Sequence, residues 1–311
     1  MSAPRVSVVV PTRNGAATLP AMLDALRAQK TAHALDIIAV DSGSTDGTLD
    51  VLAGRVRHVV GIAAEEFDHG LSRNAGIERA EGEFVVLLVQ DALPVSEDWI
   101  NRLVAPLVAD DTLAGTFARQ QPRSDASALT KAQLRDYAAS QSVPWTSRIP
   151  GGRPEFDALS PIERLRRCTF DNVASCIRRS VWVQQPFKST PIAEDLEWAR
   201  DVLLAGHGIA YVPDAVVIHS HDRPARYEFE RTRVLHDRLF RLFGLQTIPN
   251  RSGLARAMLT SLGAHLGREW QSPSRWPRAA ALAFAWPAGQ FAGARRGRSG
   301  PLQSRPKAGV V

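Results

Sequence analysis

Short unbroken apolar runs, separated by polar turns, organise the first hundred residues. VSVVV (6–10), LDIIAV (35–40), VRHVV (56–60) and FVVLLV (84–89) lack the clean alternation of a strand with one wet face. Runs of this length between turn residues are the pattern of strands covered on both sides. Between them the period changes. Leu19, Met22, Leu23 and Leu26 fall on one helical stripe. Strand and helix in alternation predict an α/β fold with a mostly parallel, Rossmann-like sheet and helices on both faces. Open sheets of this kind bind ligands at the carboxyl ends of their strands. The crevice is therefore expected to collect the loops after Val10, Val40 and Val89. In the polar loop DSGSTDGT (41–48), Asp46 is placed to cap the helix TLDVLAG.

The second half is less regular. Pro122, Pro144, Pro150, Pro154 and Pro161 break residues 119–169 into what reads as a loop-rich cover over a site. DNVASCIRRSVW (171–182) reads as strand then helix. AEDLEWARDVLLAG (193–206) reads as a helix stopped by Gly206. GIAYV (208–212) and AVVIHSH (215–221) read as two short strands. EFERTRVLHDRLFRLFG (228–244) reads as a helix with Leu235, Leu239 and Leu242 on its apolar side. There is no internal repeat.

Composition refines this picture at the C-terminus. The chain has 311 residues, 44% of them hydrophobic, enough for one large core with an appendage. Of the net charge of +6, residues 251–311 hold ten Lys or Arg against one acid, Glu269. The basic balance thus belongs to the tail. With no recognition motif there, it argues against a nucleic-acid partner. Trp270, Trp276 and Trp286 also lie in the tail. Arg and Trp among short apolar runs fit either an anionic membrane surface or a docked helical hairpin with a disordered end from about Arg295. Cys168 and Cys176 are the only cysteines and fit neither a disulfide framework nor a zinc knuckle, so a reducing compartment is expected. The N-terminus enters a strand without the apolar stretch of a secretory signal, and no window approaches a membrane span. A cytoplasmic location follows as the expectation, with the inner face of the cell membrane as a peripheral station.

Five segments carry a resemblance. They are VSVVVPTRNGAATL at the N-terminus, VDSGSTDGT (40–48), HGLSRNAG (69–76) with the strand ending in Gln90-Asp91, Ala193-Glu194-Asp195, and His219-Ser220-His221. In this order the chain resembles glycosyltransferase family 2, which has the GT-A fold, over about residues 5–245. Within the family it looks most like the rhamnosyltransferase-type branch that builds bacterial surface polysaccharide. The resemblance implies a GT-A domain over 1–245, with a nucleotide-binding half (1–118) and an acceptor half (119–245), followed by a basic helical tail (246–311). It further implies inverting transfer from a nucleotide-diphosphate sugar, a deoxyhexose such as rhamnose, to a glycan or lipid-linked glycan hydroxyl. A catalytically inactive scaffold that binds nucleotide-sugar or glycan is the alternative.

The resemblance also distributes roles. Asp195 corresponds to the family's catalytic base, with Glu194 as its orienting neighbour. Asp41 corresponds to the nucleotide reader, and Thr12, Arg13, Arg73 and Gln90 are expected around the base and diphosphate, Arg because its planar fork pairs with phosphate. Asn172 is expected near donor or acceptor. Asp91 is the expected ligand of Mg²⁺ or Mn²⁺. Here the chain departs from the family's Asp-x-Asp, since Val89 stands where the first Asp would be. A second ligand is expected from His219 or His221. On a strand these two would point to opposite faces, so only one would reach the site. The tail, lying beyond the motifs, is expected to be dispensable for folding and donor use.

Overall fold

A computed structural model describes residues 4–299. Its elements run β1 (Val6–Thr12), α1 (Leu19–Arg27), β2 (Leu35–Asp41), α2 (Thr48–Leu52), β3 (His58–Gly61), α3 (His69–Ile77), β4 (Phe84–Leu88), β5 (Leu93–Pro94) and α4 (Trp99–Ala109). They continue with β6 (Leu113–Gln121), α5 (Ala128–Asp136), β7 (Trp145–Ser147), α6 (Gly152–Ala158), α7 (Pro161–Arg167), β8 (Ala174–Arg178) and α8 (Arg179–Gln184). The last are α9 (Glu194–Leu204), β9 (Gly208–Ile218), α10 (Ala225–Phe243), α11 (Arg251–Arg268) and α12 (Trp276–Ser299).

The strands form one sheet in the order β3-β2-β1-β4-β8-β6-β9-β5, with β7 paired to β9 off that path. The first four strands are mutually parallel, in a register that sets Val9 beside Ile38 and Leu87. β8 enters antiparallel between β4 and β6, and β9 returns parallel to β6. Burial on both faces explains the apolar runs of β1, β2 and β4, but not that of β3, which is the edge strand and leaves His58, Val59 and Gly61 exposed. Val6, Val8 and Val10 meet α1 and α4, while Val9 points to the face covered by α3, α9 and α10. Leu19, Met22, Leu23 and Leu26 are all buried, as their spacing predicts.

Three sequence expectations change. The segment 119–169 is not mainly loop; it holds α5, β7, α6 and α7. One of its prolines starts a helix rather than breaking the chain. Pro161 sits in the first turn of α7, where its missing N–H costs nothing, behind a capping box of Ser160 and Glu163. The two strands expected at 208–221 are one, β9. Its register with β6 jumps from Ala118–Val212 to Arg119–Val216, so Pro213, Asp214 and Ala215 form a bulge where proline has no N–H to pair.

The third change concerns the tail, which α12 docks against α10. Gly289, Gly293 and Gly297 recur every fourth residue and let the backbones approach. A Cβ added to Gly293 would lie 2.2 Å from the Arg233 carbonyl oxygen. Ala279, Leu282, Ala283 and Ala294 of α12 are buried. The helix runs through Pro287 and past Arg295 to Ser299. Residues 300–311, the rest of the stretch expected to be disordered, lie outside the described residues. A tail that covers this much of α10 packs as part of the fold, and its removal is expected to cost stability.

Candidate active site

Two polar loops at the carboxyl ends of β1 and β2 are stitched together side chain to backbone. Gly15 N–H donates to Thr48 Oγ1 at 2.8 Å, Ala16 N–H to Asp46 Oδ2 at 3.1 Å and Thr45 N–H to Asn14 Oδ1 at 2.9 Å. Asp46 therefore does more than cap. It takes the Thr48 N–H at 3.1 Å and holds the first loop as well. Asp41 is buried at the end of β2 and accepts from Thr12 Oγ1 at 3.1 Å and Ser44 N–H at 3.0 Å. Gln90 closes the third side. Its carboxamide accepts from Arg13 N–H at 2.9 Å and donates to the Arg13 carbonyl at 3.0 Å. The loops after β1, β2 and β4 thus meet in one crevice. The Arg13 side chain stays exposed.

Strand pairing assembles the second group. β5 lies antiparallel to β9, with Leu93 opposite Ile218. The residues just before Leu93 are thereby set opposite those just after Ile218. Asp91 meets both histidines: His221 Nε2 is 3.1 Å from its Oδ2 and His219 Nε2 is 3.7 Å from its Oδ1. One ligand atom from each of the three residues lies within 4.8 Å of the others. The expectation that only one histidine faces the site is thus corrected. β9 ends at Ile218, so strand alternation no longer governs residues 219–221.

The donor set fits a divalent cation. Burial pushes the His219 pKa down to about 4, ahead of the opposing pull of Asp91, which keeps the ring in its neutral, ligating form. The Nδ1 of His219 lies 2.9 Å from Gln120 Oε1. A carboxamide oxygen can only accept, so Nδ1 carries the proton and Nε2 turns a lone pair toward Asp91. Burial works against the Asp91 charge, but the hydrogen bond from His221, with the electrostatic pull of the two imidazoles behind it, outweighs it, and its pKa is lowered.

From Gln120 a buried polar network runs to the third group. Gln120 Nε2 donates to Asp171 Oδ2 at 2.6 Å, and the Tyr137 hydroxyl donates to the same oxygen at 2.7 Å. Asn172 follows. Its N–H donates to Asp195 Oδ2 at 3.4 Å and its Nδ2 to Glu194 Oε1 at 3.2 Å. Glu194 and Asp195 open α9 directly after Ala193, a non-glycine residue at φ 62°. A left-handed residue of this kind costs roughly 1–3 kcal/mol, and its neighbours must hold it. Glu194 is buried and Asp195 is partly open. Burial raises the Asp195 pKa well above the carboxylate range, helped by the like charges of Glu194 and Asp171. Asp171 is raised as well, again chiefly by burial. In Glu194 burial is outweighed by Arg73 and His69, and the pKa falls.

The two remaining expected residues take other places. Arg73 is only 5% exposed, and its Nη1 lies 3.0 Å from Glu194 Oε1 and donates to the His69 carbonyl at 2.8 Å. The guanidinium is thus committed to a carboxylate instead of standing open to a diphosphate. Asn172, 1% exposed, fixes Glu194 and Asp195 from within. Gln120, Tyr137 and Asp171 are new to the site. Asp171 adjoins Asn172 in sequence and was within reach of the motif. Gln120 is the last residue but one of β6 and Tyr137 follows α5, and nothing local distinguishes either.

The glycosyl transferase family 2 model matches residues 7–155. The chain is 30% identical over 301 residues to the O-antigen chain rhamnosyltransferase WbaN of Salmonella anatum, covering 86% of this chain and 91% of that protein. It is 29% identical over 302 residues, with the same coverage, to the O-antigen chain rhamnosyltransferase RfbN of Salmonella typhimurium. Among solved structures, a mannosyltransferase of Pyrobaculum calidifontis in complex with GDP-Man and Mn²⁺ has a TM-score of 0.56 at 21% identity, covering 90% of this chain and 74% of that one. TarS residues 1–349 of S. aureus with UDP has a TM-score of 0.53 at 16% identity, covering 92% and 90%. At such identities these structures share the fold, which is GT-A.

Proposed function

The chain belongs to glycosyl transferase family 2 and is a glycosyltransferase, and from that premise we propose inverting transfer of a sugar from a nucleotide-diphosphate sugar to a glycan or lipid-linked glycan hydroxyl in surface polysaccharide biosynthesis. The observation that carries the reading is a run of contacts from the loops around Asp41, through Gln90 and the adjoining Asp91–His219–His221 cluster, to Gln120 and Asp171 and, by way of Asn172, to the carboxylate of Asp195. In this reading residues 1–118 hold the donor and 119–245 the acceptor. Similarity over nine-tenths of two O-antigen chain rhamnosyltransferases supports rhamnose or another deoxyhexose as the sugar.

Asp41, Thr12, Arg13 and Gln90 shape the nucleotide end. Asp195 takes the acceptor proton. Its raised pKa makes it a stronger base once ionised than an ordinary carboxylate. Glu194, held by Arg73 and Asn172, keeps the start of α9 in place. Asp91, His219 and His221 would hold the divalent cation, which when bound stabilises charge on the departing diphosphate. Two imidazole nitrogens favour Mn²⁺, because Mg²⁺ prefers oxygen ligands in a near-ideal octahedron.

The test is a melting-temperature screen of UDP, GDP, dTDP and their sugar conjugates, with and without Mn²⁺ or Mg²⁺. A ligand at a hundredfold excess over Kd stabilises by about 2.7 kcal/mol. No shift with any nucleoside diphosphate in either metal sinks the reading. Donor binding without transfer or hydrolysis would favour the scaffold.

A further inference from the structure

With Arg73 turned to Glu194, its guanidinium is not free for the donor diphosphate. α10 supplies another. Arg231, Leu235, Arg238 and Leu242 stand at i, i+4, i+7 and i+11, one stripe of that helix. The lower part of the stripe is docked. Leu235 and Leu242 pack on the core, and Arg238 is paired with Glu197, one turn along α9 from Glu194. Arg231 is two turns nearer the start of α10, the end that follows His221 by a short loop. There the stripe leaves the core and the side chain is exposed. Among the described residues Arg231 makes no ion pair and no side-chain hydrogen bond. Its neighbour Arg223, by contrast, stands over the Tyr227 ring.

We propose that Arg231 is a catalytic residue that grips the β-phosphate of the nucleotide-sugar and stabilises it as it leaves. The inference rests on the glycosyltransferase reading above. In the transfer the acceptor oxygen forms its bond to the anomeric carbon while the bond from that carbon to the β-phosphate oxygen breaks. The electron pair stays on the phosphate, and the acceptor proton goes to Asp195. Negative charge therefore grows on the β-phosphate, where a guanidinium can donate two parallel hydrogen bonds. The placement has independent support. Burial is the main influence on His69, Tyr137 and Asp171, but the Arg231 charge acts on all three. These groups come from the start of α3, the end of α5 and the approach to β8. One charge felt by all of them stands where those elements converge.

The experiment compares wild type, Arg231→Ala and Arg231→Lys. Calorimetry with Mn²⁺ measures binding of UDP, GDP and dTDP and of the matching monophosphates, and transfer is assayed with the donor of the nucleotide that binds. Arg231→Ala is expected to bind the diphosphate about tenfold more weakly and to leave the monophosphate within twofold. Its kcat should fall about 10²-fold or more, as for loss of a donor to a developing oxyanion. Arg231→Lys should recover part of both. Because the side chain is exposed, an unchanged melting temperature is expected and checks the fold. If Arg231→Ala binds the diphosphate and turns over within twofold of wild type, or loses diphosphate and monophosphate alike, the assignment is wrong. If wild type binds no nucleoside diphosphate, the glycosyltransferase reading fails instead.

Discussion

At the scale of single residues, the site separates into groups that act on substrate and groups that hold them. Asp195→Asn removes the base and keeps the carbonyl oxygen, so nucleotide affinity should stay within threefold while transfer falls ~10²–10⁴-fold. Transfer within threefold of wild type would remove Asp195 from that role. The acid limb of the pH profile tests the surroundings. Asp195 must be ionised to take a proton, and burial with the Glu194 and Asp171 charges holds its pKa up. Activity should therefore rise with pH through a value above the usual carboxylate range. Asp171→Asn takes away one like charge, lowers the Asp195 pKa and should move that limb to lower pH. A limb that stays in place would show that Asp171 does not act on Asp195. A second test concerns Gln120, which fixes His219 with its protonated nitrogen away from Asp91. Gln120→Leu should weaken Mn²⁺ binding 10–100-fold, as losses of such supporting partners do, and Asp91→Ala should weaken it further. Calorimetry with Mn²⁺ alone reads both, and unchanged affinity in Asp91→Ala would remove the cation from this cluster. Sequence marked Asp91, Asp195 and the two histidines because each sits at the end of an element with a family motif. Gln120 and Tyr137 escaped because their meaning lies in partners 51 and 34 residues away, which only the closed sheet brings near.

At the scale of elements, legibility followed burial pattern. β1, β2 and β4 were readable because burial on both faces leaves a continuous apolar run between turn residues, whereas β3 carries a similar run at the exposed edge of the sheet. β9 was misread as two strands because Pro213 marks a bulge in a long strand as readily as a break between short ones. The helix α7 was missed because a proline at a helix start looks like a breaker when the cap is not weighed with it. The docking of α12 also has a signature, glycine at every fourth position, but its meaning depends on a partner helix that sequence does not name. This contact is open to test. Gly293→Val would push branched carbons into the Arg233 backbone, where even one Cβ meets oxygen at 2.2 Å. Overpacking of this kind costs typically 1–3 kcal/mol. The melting temperature of Gly293→Val should fall by several degrees, whereas Gly263→Val, at a helix position with nothing within 4 Å, should change it little. Equal behaviour of the two variants would mean that α12 does not rest on α10 as described.

At the scale of the whole molecule, the tail changes from an appendage to a brace with one exposed end. The hairpin of α11 and α12 touches the domain around the Asp91–His219–His221 cluster. Glu269 accepts from Leu129 N–H at 2.8 Å, and Arg278 lies 3.2 Å from Asp222, the residue after His221. Truncation at residue 250 should therefore cost stability and disturb the site, and it is not a clean test of membrane binding. Point changes are. No helix among the described residues is long and apolar enough to cross a membrane. Yet Leu259 and Trp270 are 70% and 66% exposed, with Arg256 and Arg268 close in sequence. Exposed apolar side chains beside arginines suit the headgroup region, with roughly 1 kcal/mol from each basic residue near an anionic surface. The tip also stands beside the Asp222 loop, where an acceptor carried on a lipid would have to arrive. Wild type and the Leu259→Glu/Trp270→Glu double variant should be sedimented with phosphatidylglycerol-rich vesicles over a salt series. Wild type should bind and release as salt screens the charges. The variant should lose most binding while keeping its melting temperature and its nucleotide affinity, and it should fail only with the lipid-linked acceptor. If wild type stays in solution, or both proteins sediment alike, the hairpin braces the domain and nothing more, and the acceptor reaches Asp195 without help from the tail.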